Sequence, residues 1–462
     1  MLVVFVMLLA TVFGSSRIHP YITGDATIIS SEITDNITGT VDLFDATITH
    51  ELSIEITDVE YDTMITTFQD TGNKRWVTAD VVIDGTRVED ASVRLKGNST
   101  LMGVRGTDPS DMTPPPGLDM PGGFAPPEAF DPTQGPRGMG GPMMAQASAD
   151  DPTSLPLLIS FDENAGGRAY QGMTELAVRP GSPVINEAMA LSLTADTGQP
   201  TQRYAYTVYS VNDSATTTRL VLEHPDDTYA NTLFDTDGYL YKADASSRFE
   251  YVGGDQSSYA DQFKQINAVD SGNLQPIISF LKWMDSANDE EFAAHLADWV
   301  DVESFARYTA TQNLLTNGDD MGGPGQNYYL WFDLETQKLS VISWDLNLAM
   351  QGDTTAGPHD TVSMGVGGGP GGGAPDGGGP QVGNPLETRF LASAAFTQIY
   401  EDAYWDLFEQ MYGSGRALEI LDTLAGTVPV SDGLTAEALQ TEIDSMRSWI
   451  EERTTSLNEL PS

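Results

Sequence analysis

The sequence predicts an α+β protein of two lobes, sheet-rich over residues 51–225 and helical over residues 226–462. Three observations predict it. Runs rich in β-branched and aromatic residues, with period-two alternation, fill most of the first half. Segments with apolar residues at helical spacing fill most of the second. Strands gathered in one half and helices in the other, rather than strict alternation, are what α+β folds require.

Taken in order, MLVVFVMLLATVFG is apolar and then turns polar at Ser15, Ser16 and Arg17. That length suits an export signal or a short anchor over residues 1–16, since a full span needs about 20 residues. The expected location is therefore extracellular or at the cell surface, with an N-terminal membrane anchor as the alternative to cleavage. Residues 17–50 are Thr/Ile/Asp-rich with little periodicity and read as a tether. Strands are expected at Leu52–Ile56, Trp76–Ile83 and Ala91–Lys96, with a turn at Asp84-Gly85 and a short helix at Asp62–Phe68. Residues 107–152 are dominated by Pro, Gly and Met, a composition that cannot bury enough surface to fold alone, so a disordered loop is expected.

Strands resume at Leu155–Phe161 and Thr174–Val178, a helix follows over Val184–Ala195, and Tyr204–Val211 and Arg219–Glu223 alternate as strands. FDTDGYLYK crosses a turn at Asp237-Gly238 into a short strand ending at Lys242. Asp235 and Asp237 lack the other ligands of a calcium loop, so a plain turn is expected. Helices follow at Leu274–Ser286, from a capping box at Asn288 with Glu291, and over 386–424 and 435–457. A Gly/Pro-rich loop over 354–384 formally contains a GxGxxG pattern, but no strand precedes it and no helix opens from it, which argues against dinucleotide binding.

Charge excludes whole classes of function. There are 67 acidic and 22 basic residues, a net charge of -45. Such a surface repels phosphate backbones and anionic membranes, so no nucleic-acid partner is expected. The acids are scattered rather than blocked, which reads as a whole-surface adaptation to high salt; a surface for basic protein substrates is the alternative. The chain has no cysteine, which removes disulfides, thiolate zinc sites and cysteine nucleophiles. Its five histidines are far apart and form no HExxH pair. No GxSxG elbow appears either.

Two stretches carry chemistry. The first is DVESFARYTATQNLLTNGDDMGGPGQNYYLWFDLETQKLSVISWDLN, residues 301–347. Asp301 is placed to cap a helix that stops at Asn317-Gly318, and Asp319 and Asp320 follow in a Gly/Pro-rich loop. Tyr328–Phe332 and Lys338–Trp344 then read as a hairpin with Asp345 at its end. This order sets two carboxylates at one end of a small sheet, as phosphoryl transfer requires: one acid orients a hydroxyl and another holds a metal. The second stretch is VRLKGNST, in which a strand delivers Arg94 and Lys96 to a turn through Gly97, Asn98 and Ser99. A cationic strand end beside free backbone N–H groups can hold phosphates. An ordinary turn and a solvated acidic loop are the plainer readings of both stretches.

VRLKGNST, LVLEHPD, GYLYK, NGDDMGGPGQNYYLWFD and VISWDLNLAM together resemble the spore-coat protein H (CotH) kinase family, over roughly residues 50–350. The resemblance implies an atypical protein-kinase-like two-lobed fold without the usual Gly-rich loop or HRD and DFG signatures. It implies transfer of phosphate from ATP, with Mg2+ or Mn2+, to serine or threonine of a secreted or surface protein. In that frame Asp319 is the catalytic-loop acid, with its neighbour Asp320 as the other candidate. Asp345 binds the metal. Asn327 is a second metal ligand, at longer spacing than in ordinary kinases. Lys96 and Arg94 neutralise nucleotide phosphates, Glu187 is the ion-pair partner of Lys96, and Glu223 to Asp226 lie near the adenine. Leu155 stands where the family often has a base. The competing expectation is a non-catalytic envelope scaffold with the same fold, and the sequence says nothing of the oligomeric state.

Overall fold

The computed structural model describes residues 33–97, 99–101, 103–105, 147–269, 273–362 and 383–460. The expected export segment, most of the Pro/Gly/Met tract and the core of the second Gly-rich tract lie outside the described residues. Among the described residues, no helix is long and apolar enough to cross a membrane.

The first half folds as a closed barrel rather than an open sheet. Its strands are β2 (His50–Glu55), β3 (Val77–Ile83), β4 (Thr86–Leu95), β5 (Leu157–Ser160), β7 (Glu175–Val178), β8 (Tyr204–Val211) and β9 (Thr217–Glu223), in the order β2-β3-β4-β5-β7-β9-β8. Most neighbours are antiparallel, but β2 closes the ring by pairing parallel with β8, Leu52 opposite Tyr209. Closure removes the two exposed edges that an open sheet would present. Alternation places Leu52, Ile54, Val81, Ile83, Val93, Leu95, Ile159 and Leu176 inside. Helix α1 (Asp58–Thr71) packs Met64, Ile65 and Phe68 on the same core. It is longer than the expected turn because Thr57 caps Glu60 N–H at 3.2 Å and Gly72 ends it at φ +75°.

The expected tether is partly built into this unit. β1 (Asp35–Ile37) pairs parallel with β6 (Arg168–Tyr170), and Leu43 is buried in the barrel core. His50 accepts no solvent role: its Nδ1 lies 2.8 Å from Asp84 Oδ2.

Beyond the barrel comes a second, four-stranded sheet in the order β11-β10-β12-β13. It comprises β10 (Gly238–Ala243), β11 (Phe263–Gln265), β12 (Tyr328–Asp333) and β13 (Leu339–Ser343). The expected hairpin is β12–β13, with Tyr328 opposite Ser343. β10 pairs with the free edge of β12, Gly238 opposite Asp333. Gly238 is required there, since a Cβ would meet the Trp331 ring at 2.2 Å.

Helix α2 (Ile185–Asp196) and the helices of the second half surround this sheet: α3 (Tyr229–Leu233), α4 (Gln275–Ser286), α5 (Asp289–His295), α6 (Val302–Leu314), α7 (Pro385–Ala392), α8 (Thr397–Phe408), α9 (Arg416–Thr427) and α10 (Ala436–Asn458). The Asn288–Glu291 capping box forms as expected. The clean two-lobe division does not. One continuous core joins Leu158, Ala177, Tyr206 and Leu222 of the barrel's outer face to α2 and to Phe305, Tyr404 and Leu421 of the helical half. The reason lies in β5 and β9, buried along their whole length, so their outward residues are apolar too and demand a partner layer.

Arg453 of α10 locks this layer to the loop system. Fully buried at 0 % exposure, it donates to the carbonyls of Asn313 at 3.0 Å, Leu314 at 3.3 Å, Thr354 at 3.1 Å and Ala356 at 2.5 Å. Replacing it strands buried acceptors at the end of α6. Arg453→Met is expected to lower unfolding stability by about 3 kcal/mol or more. Equilibrium denaturation reads this, and a loss well below about 1 kcal/mol would show that those carbonyls find other donors.

Candidate functional site

The site forms where the end of the barrel meets the end of the second sheet. β4 ends at Leu95, and the next residue, Lys96, is tied down through its N–H to Pro156 O at 2.9 Å. β7 ends at Val178 and delivers Arg179, whose N–H donates to Leu220 O at 2.9 Å. β13 ends at Ser343 and delivers Trp344 and Asp345. Asp345 sits at φ +56°, a left-handed conformation that a non-glycine residue holds only under tertiary constraint. Each functional side chain is thus the first or second residue after a strand, where the backbone ladder stops and the side chain faces the cleft.

Arg179 is the hub. Its Nε donates to Glu187 Oε2 at 2.8 Å and its Nη2 donates to Asp345 Oδ1 in a short charged hydrogen bond. Glu187 is buried to 1 % exposure in the first turn of α2. The expected pairing of Glu187 with Lys96 is therefore corrected: the hydrogen-bonded partner is Arg179, while Lys96 acts on Glu187 only through space. Reach explains the exchange. Arg179 ends a strand beside α2 and its planar fork serves two carboxylates at once, which a single ammonium does less well. Arg179 was missed from the sequence because Arg-Pro after an apolar strand reads as an ordinary turn; its one local signal was a base at a strand end in a base-poor chain.

The turn that carries Asp345 is held by the same helix. Asn186, next to Glu187, donates Nδ2 to Asn347 O at 2.6 Å and to Ala349 O at 3.1 Å. Helix α2 therefore fixes the Arg179 fork and the Asp345 turn together.

Lys96 Nζ stands 4.8 Å from the Trp344 ring centroid, and Lys242 Nζ of β10 stands 5.1 Å from the same ring. Burial pushes the Lys96 amine down to about 7, with Arg179 and Lys242 adding repulsion against Asp345 and Glu187. Burial alone would raise the Asp345 carboxyl, but Arg179 and Lys96 outweigh it and hold it below the usual carboxylate range. Arg94 lies over Trp76 at 4.6 Å, its Nε buried and without a partner. His224 sits behind them, edge-on to Trp344, with Nε2 3.5 Å from Glu175 Oε2. Burial and the repulsion of Lys96, Lys242, Arg94 and Lys264 keep it well below its ordinary value and so neutral. Burial likewise raises Glu175 to about 7.

Across from this cationic wall lies the acidic loop after α6. The helix starts as expected, with Asp301 accepting from Ser304 N–H at 3.0 Å, but it stops earlier: Thr316, at φ +49°, turns the chain ahead of Asn317-Gly318. Asp319 Oδ1 accepts Gly325 N–H at 2.6 Å and its Oδ2 accepts Asn327 Nδ2 at 2.9 Å. Burial raises the Asp319 carboxyl to about 6, and the charge of Asp345 contributes in the same direction. Asp320 turns inward. It is 9 % exposed, accepts Gly322 N–H at 2.8 Å and shares its surroundings with Glu387 of α7. A Cβ on Gly322 would lie 2.5 Å from Glu387 Oε2 and 3.4 Å from Asp320 Oδ1, so these carboxyls flank that glycine on the far side of the loop. Of the two candidate loop acids, Asp319 is the one on which the Asp345 charge acts.

The remaining candidates separate from this cluster. Glu223 is engaged by Arg203 through Nη2 to Oε1 at 2.7 Å and Nε to Oε2 at 3.1 Å, and Asp226 caps Thr174, Thr228 and Tyr229. Both carboxylates brace the crossing segment. Asn98 lies outside the described residues. Ser99 opens a short 3-10 turn to Leu101, and its side chain is likewise not described. Leu155, where a base was expected, is fully buried in the barrel.

The donor set suits a hard cation. Asp345 Oδ2 makes no hydrogen bond among the described residues, and the Asn327 amide presents its nitrogen to Asp319, which leaves its oxygen as the acceptor. No group of three or more His, Asp or Glu gathers as a metal cage among the described residues. One carboxylate and one amide oxygen match magnesium, which keeps waters and substrate phosphates as its other ligands.

Among solved structures, a crystal structure of the Helicobacter pylori proinflammatory kinase CtkA matches at 12 % identity with a TM-score of 0.29, covering 65 % of this chain and 93 % of that one. The Shewanella oneidensis MR-1 toxin–antitoxin complex of HipA, HipB and operator DNA matches at 10 % identity with a TM-score of 0.30, covering 62 % and 58 %. Both similarities are too slight to bear on the site. No curated protein matches the sequence. The family model described as CotH kinase protein matches residues 158–457, well over half of the chain; it includes Arg179, Glu187, Lys242, Asp319, Asn327 and Asp345 and begins after Arg94 and Lys96. The chain belongs to the CotH kinase family.

Proposed function

We propose that this protein is an exported kinase-like phosphotransferase that moves the terminal phosphate of Mg-ATP to a serine or threonine of a secreted or cell-surface protein. The observation that carries the reading is a concentration of positive charge against the trend of the chain. Of 22 basic residues in a chain of net charge -45, Lys74, Arg94, Lys96, Arg179, Lys242 and Lys264 act on one another around Trp344, His224 and Asp345. Such a focus of cations in an acidic molecule attracts a polyanion. Two acids of unlike environment stand beside it: Asp345 held ionised by Arg179, and Asp319 raised by burial.

Roles follow from these environments. Lys96 and Arg94 offset phosphate charge. Asp345, with Asn327, holds the magnesium ion, which when bound neutralises charge on the phosphates. The Asp319 carboxylate accepts the hydrogen bond of the acceptor hydroxyl. As the hydroxyl oxygen bonds to the γ-phosphorus and the bond to the leaving ADP breaks, the hydroxyl proton passes to Asp319. The apolar run at residues 1–14, read as an export signal, favours a secreted or surface acceptor, and the net charge of -45 favours a saline setting.

A second reading, an envelope scaffold with a kinase-like fold, draws on one observation: Arg179 already engages Asp345 and neutralises it. Calorimetry separates the two, since a scaffold shows no heat and no thermal shift with millimolar Mg-ATP.

Incubation of the purified chain with labelled ATP, magnesium and a serine-rich protein is expected to give transfer. Asp345→Ala should abolish it, and Asp319→Asn should lower kcat by about 10²- to 10⁴-fold with Mg-ATP affinity retained. Equal labelling by wild type and Asp345→Ala would end the mechanism. The pH profile has a definite sign. Asp319 must be ionised, so kcat/KM rises as pH increases through about 6; Lys96 must be protonated, so it falls as pH increases through about 7 in the free enzyme. Lys96→Arg, which stays charged, should remove the alkaline limb and leave the acidic one. A flat profile between pH 5 and 9 would show that neither group titrates in the reaction.

A further inference from the structure

We propose that Lys242 is a third phosphate-binding residue, the one that meets the terminal phosphate of the bound nucleotide; this assignment rests on the kinase reading above. Its place in the sheet is the first reason. Lys242 of β10 stands directly opposite Lys264 of β11 on one side and Tyr329 of β12 on the other. Two ammonium groups directly opposite in an antiparallel pair repel and cost stability. In a chain with 67 acids, the opposing position holds a base instead of a neutralising carboxylate. The sheet thus carries a like-charge pair, offset in part by Asp345 and Asp244, that a bound anion would relieve further.

The second reason is the geometry around Trp344. One indole holds two ammonium groups, Lys96 from the barrel at 4.8 Å and Lys242 from the second sheet at 5.1 Å, with Lys242 also 5.9 Å from the Tyr329 centroid. Cation–π attraction helps to hold each amine in place but offers no hydrogen-bond acceptor. Among the described residues neither amine makes a hydrogen bond or an ion pair. Burial weakens the charged form of both, and Asp345 supports it in both. Two half-buried amines with all their donors unused, brought to one indole from the barrel and from the second sheet, lack the acceptor oxygens that a phosphate chain supplies.

The third reason assigns the phosphate. Arg179 is already bound to Glu187 and Asp345, whereas among the described residues the two amines over Trp344, Lys96 and Lys242, make no hydrogen bond or ion pair. Lys242 belongs to the same sheet as the strand that ends at Asp345, and Asp345 is the leading opposite charge acting on it. That acid would hold a magnesium ion, which would neutralise charge on the outer phosphates. A cation on the same rigid sheet, beside that acid, meets the outermost phosphate, where negative charge shifts during transfer.

Binding of Mg-ATP and Mg-ADP to wild type, Lys242→Met and Lys242→Arg, by calorimetry at fixed salt, tests this. Wild type is expected to bind Mg-ATP about tenfold or more tighter than Mg-ADP, and Lys242→Met to lose that preference while its Mg-ADP affinity stays within about twofold. Lys242→Arg should keep the preference, and thermal unfolding shows whether each variant is folded. In turnover, Lys242→Met should lower kcat by about 10²-fold with a smaller change in KM. A purely structural lysine would weaken both nucleotides equally. That outcome, or an unchanged ATP preference in Lys242→Met, overturns the assignment while leaving the kinase reading intact. Failure of wild type to bind either nucleotide overturns both.

Discussion

Everything at the cleft depends on the buried fork of Arg179. It joins three elements that are distant in sequence: the end of β7, the first turn of α2 and the turn after β13. Burial opposes its charge, and the Asp345 and Glu187 carboxylates more than restore it. Removing one member of such a network leaves a buried charge uncompensated, which in comparable cases costs about 3–5 kcal/mol. The left-handed backbone of Asp345 and the Asn186 clamp on residues 347 and 349 follow from the same junction. Because the barrel, the helix and the second sheet meet here, the position of Asp345 is set by all three.

Charge arranged against the average is the second principle. Most arginines of this acidic chain are engaged: Arg87 with Glu55 and Asp80, Arg203 with Glu223, Arg416 with Asp196 and Arg453 with backbone carbonyls. The bases around Trp344 are different in kind. Among them Arg94, Lys96 and Lys242 sit against aromatic faces and leave donors open. Repulsion among fixed cations is tolerated in a folded protein where it prepares a site, and the surrounding barrel wall supplies the rigidity that holds them in place. Behind them burial keeps His224 neutral and raises the Glu175 carboxyl.

The helix at α6, its Asp301 cap, the β12–β13 hairpin and the Asn288 capping box were legible because each is a local pattern: a cap, a period or a turn within a few residues. The identity of the loop acid was not. Asp319 and Asp320 are neighbours with the same chemistry, and only the Glu387 side chain from α7 shows that Asp320 belongs to the interior. The partner of Glu187 was misread for the same reason. Arg179 and Lys96 lie 83 residues apart in sequence, yet they follow strands β7 and β4, which flank β5, and only Arg179 reaches that carboxylate with a hydrogen bond.

The sequence by itself determined the mixed α+β class, the exclusion of thiol chemistry, and the family, through the succession of GYLYK, NGDD and WDLN segments within the matched range. These are properties of composition and of short spacing, which survive without knowledge of neighbours. Only the tertiary structure decided that the sheet-rich half closes into a barrel through the parallel β2–β8 pair, and that its outer face shares one core with the helices. Only it placed Lys242 and Lys96 on one indole. The physical reason is common to all three: strand pairing and ion pairing are choices among partners far apart in the chain, and the choice is made by which faces must be buried together.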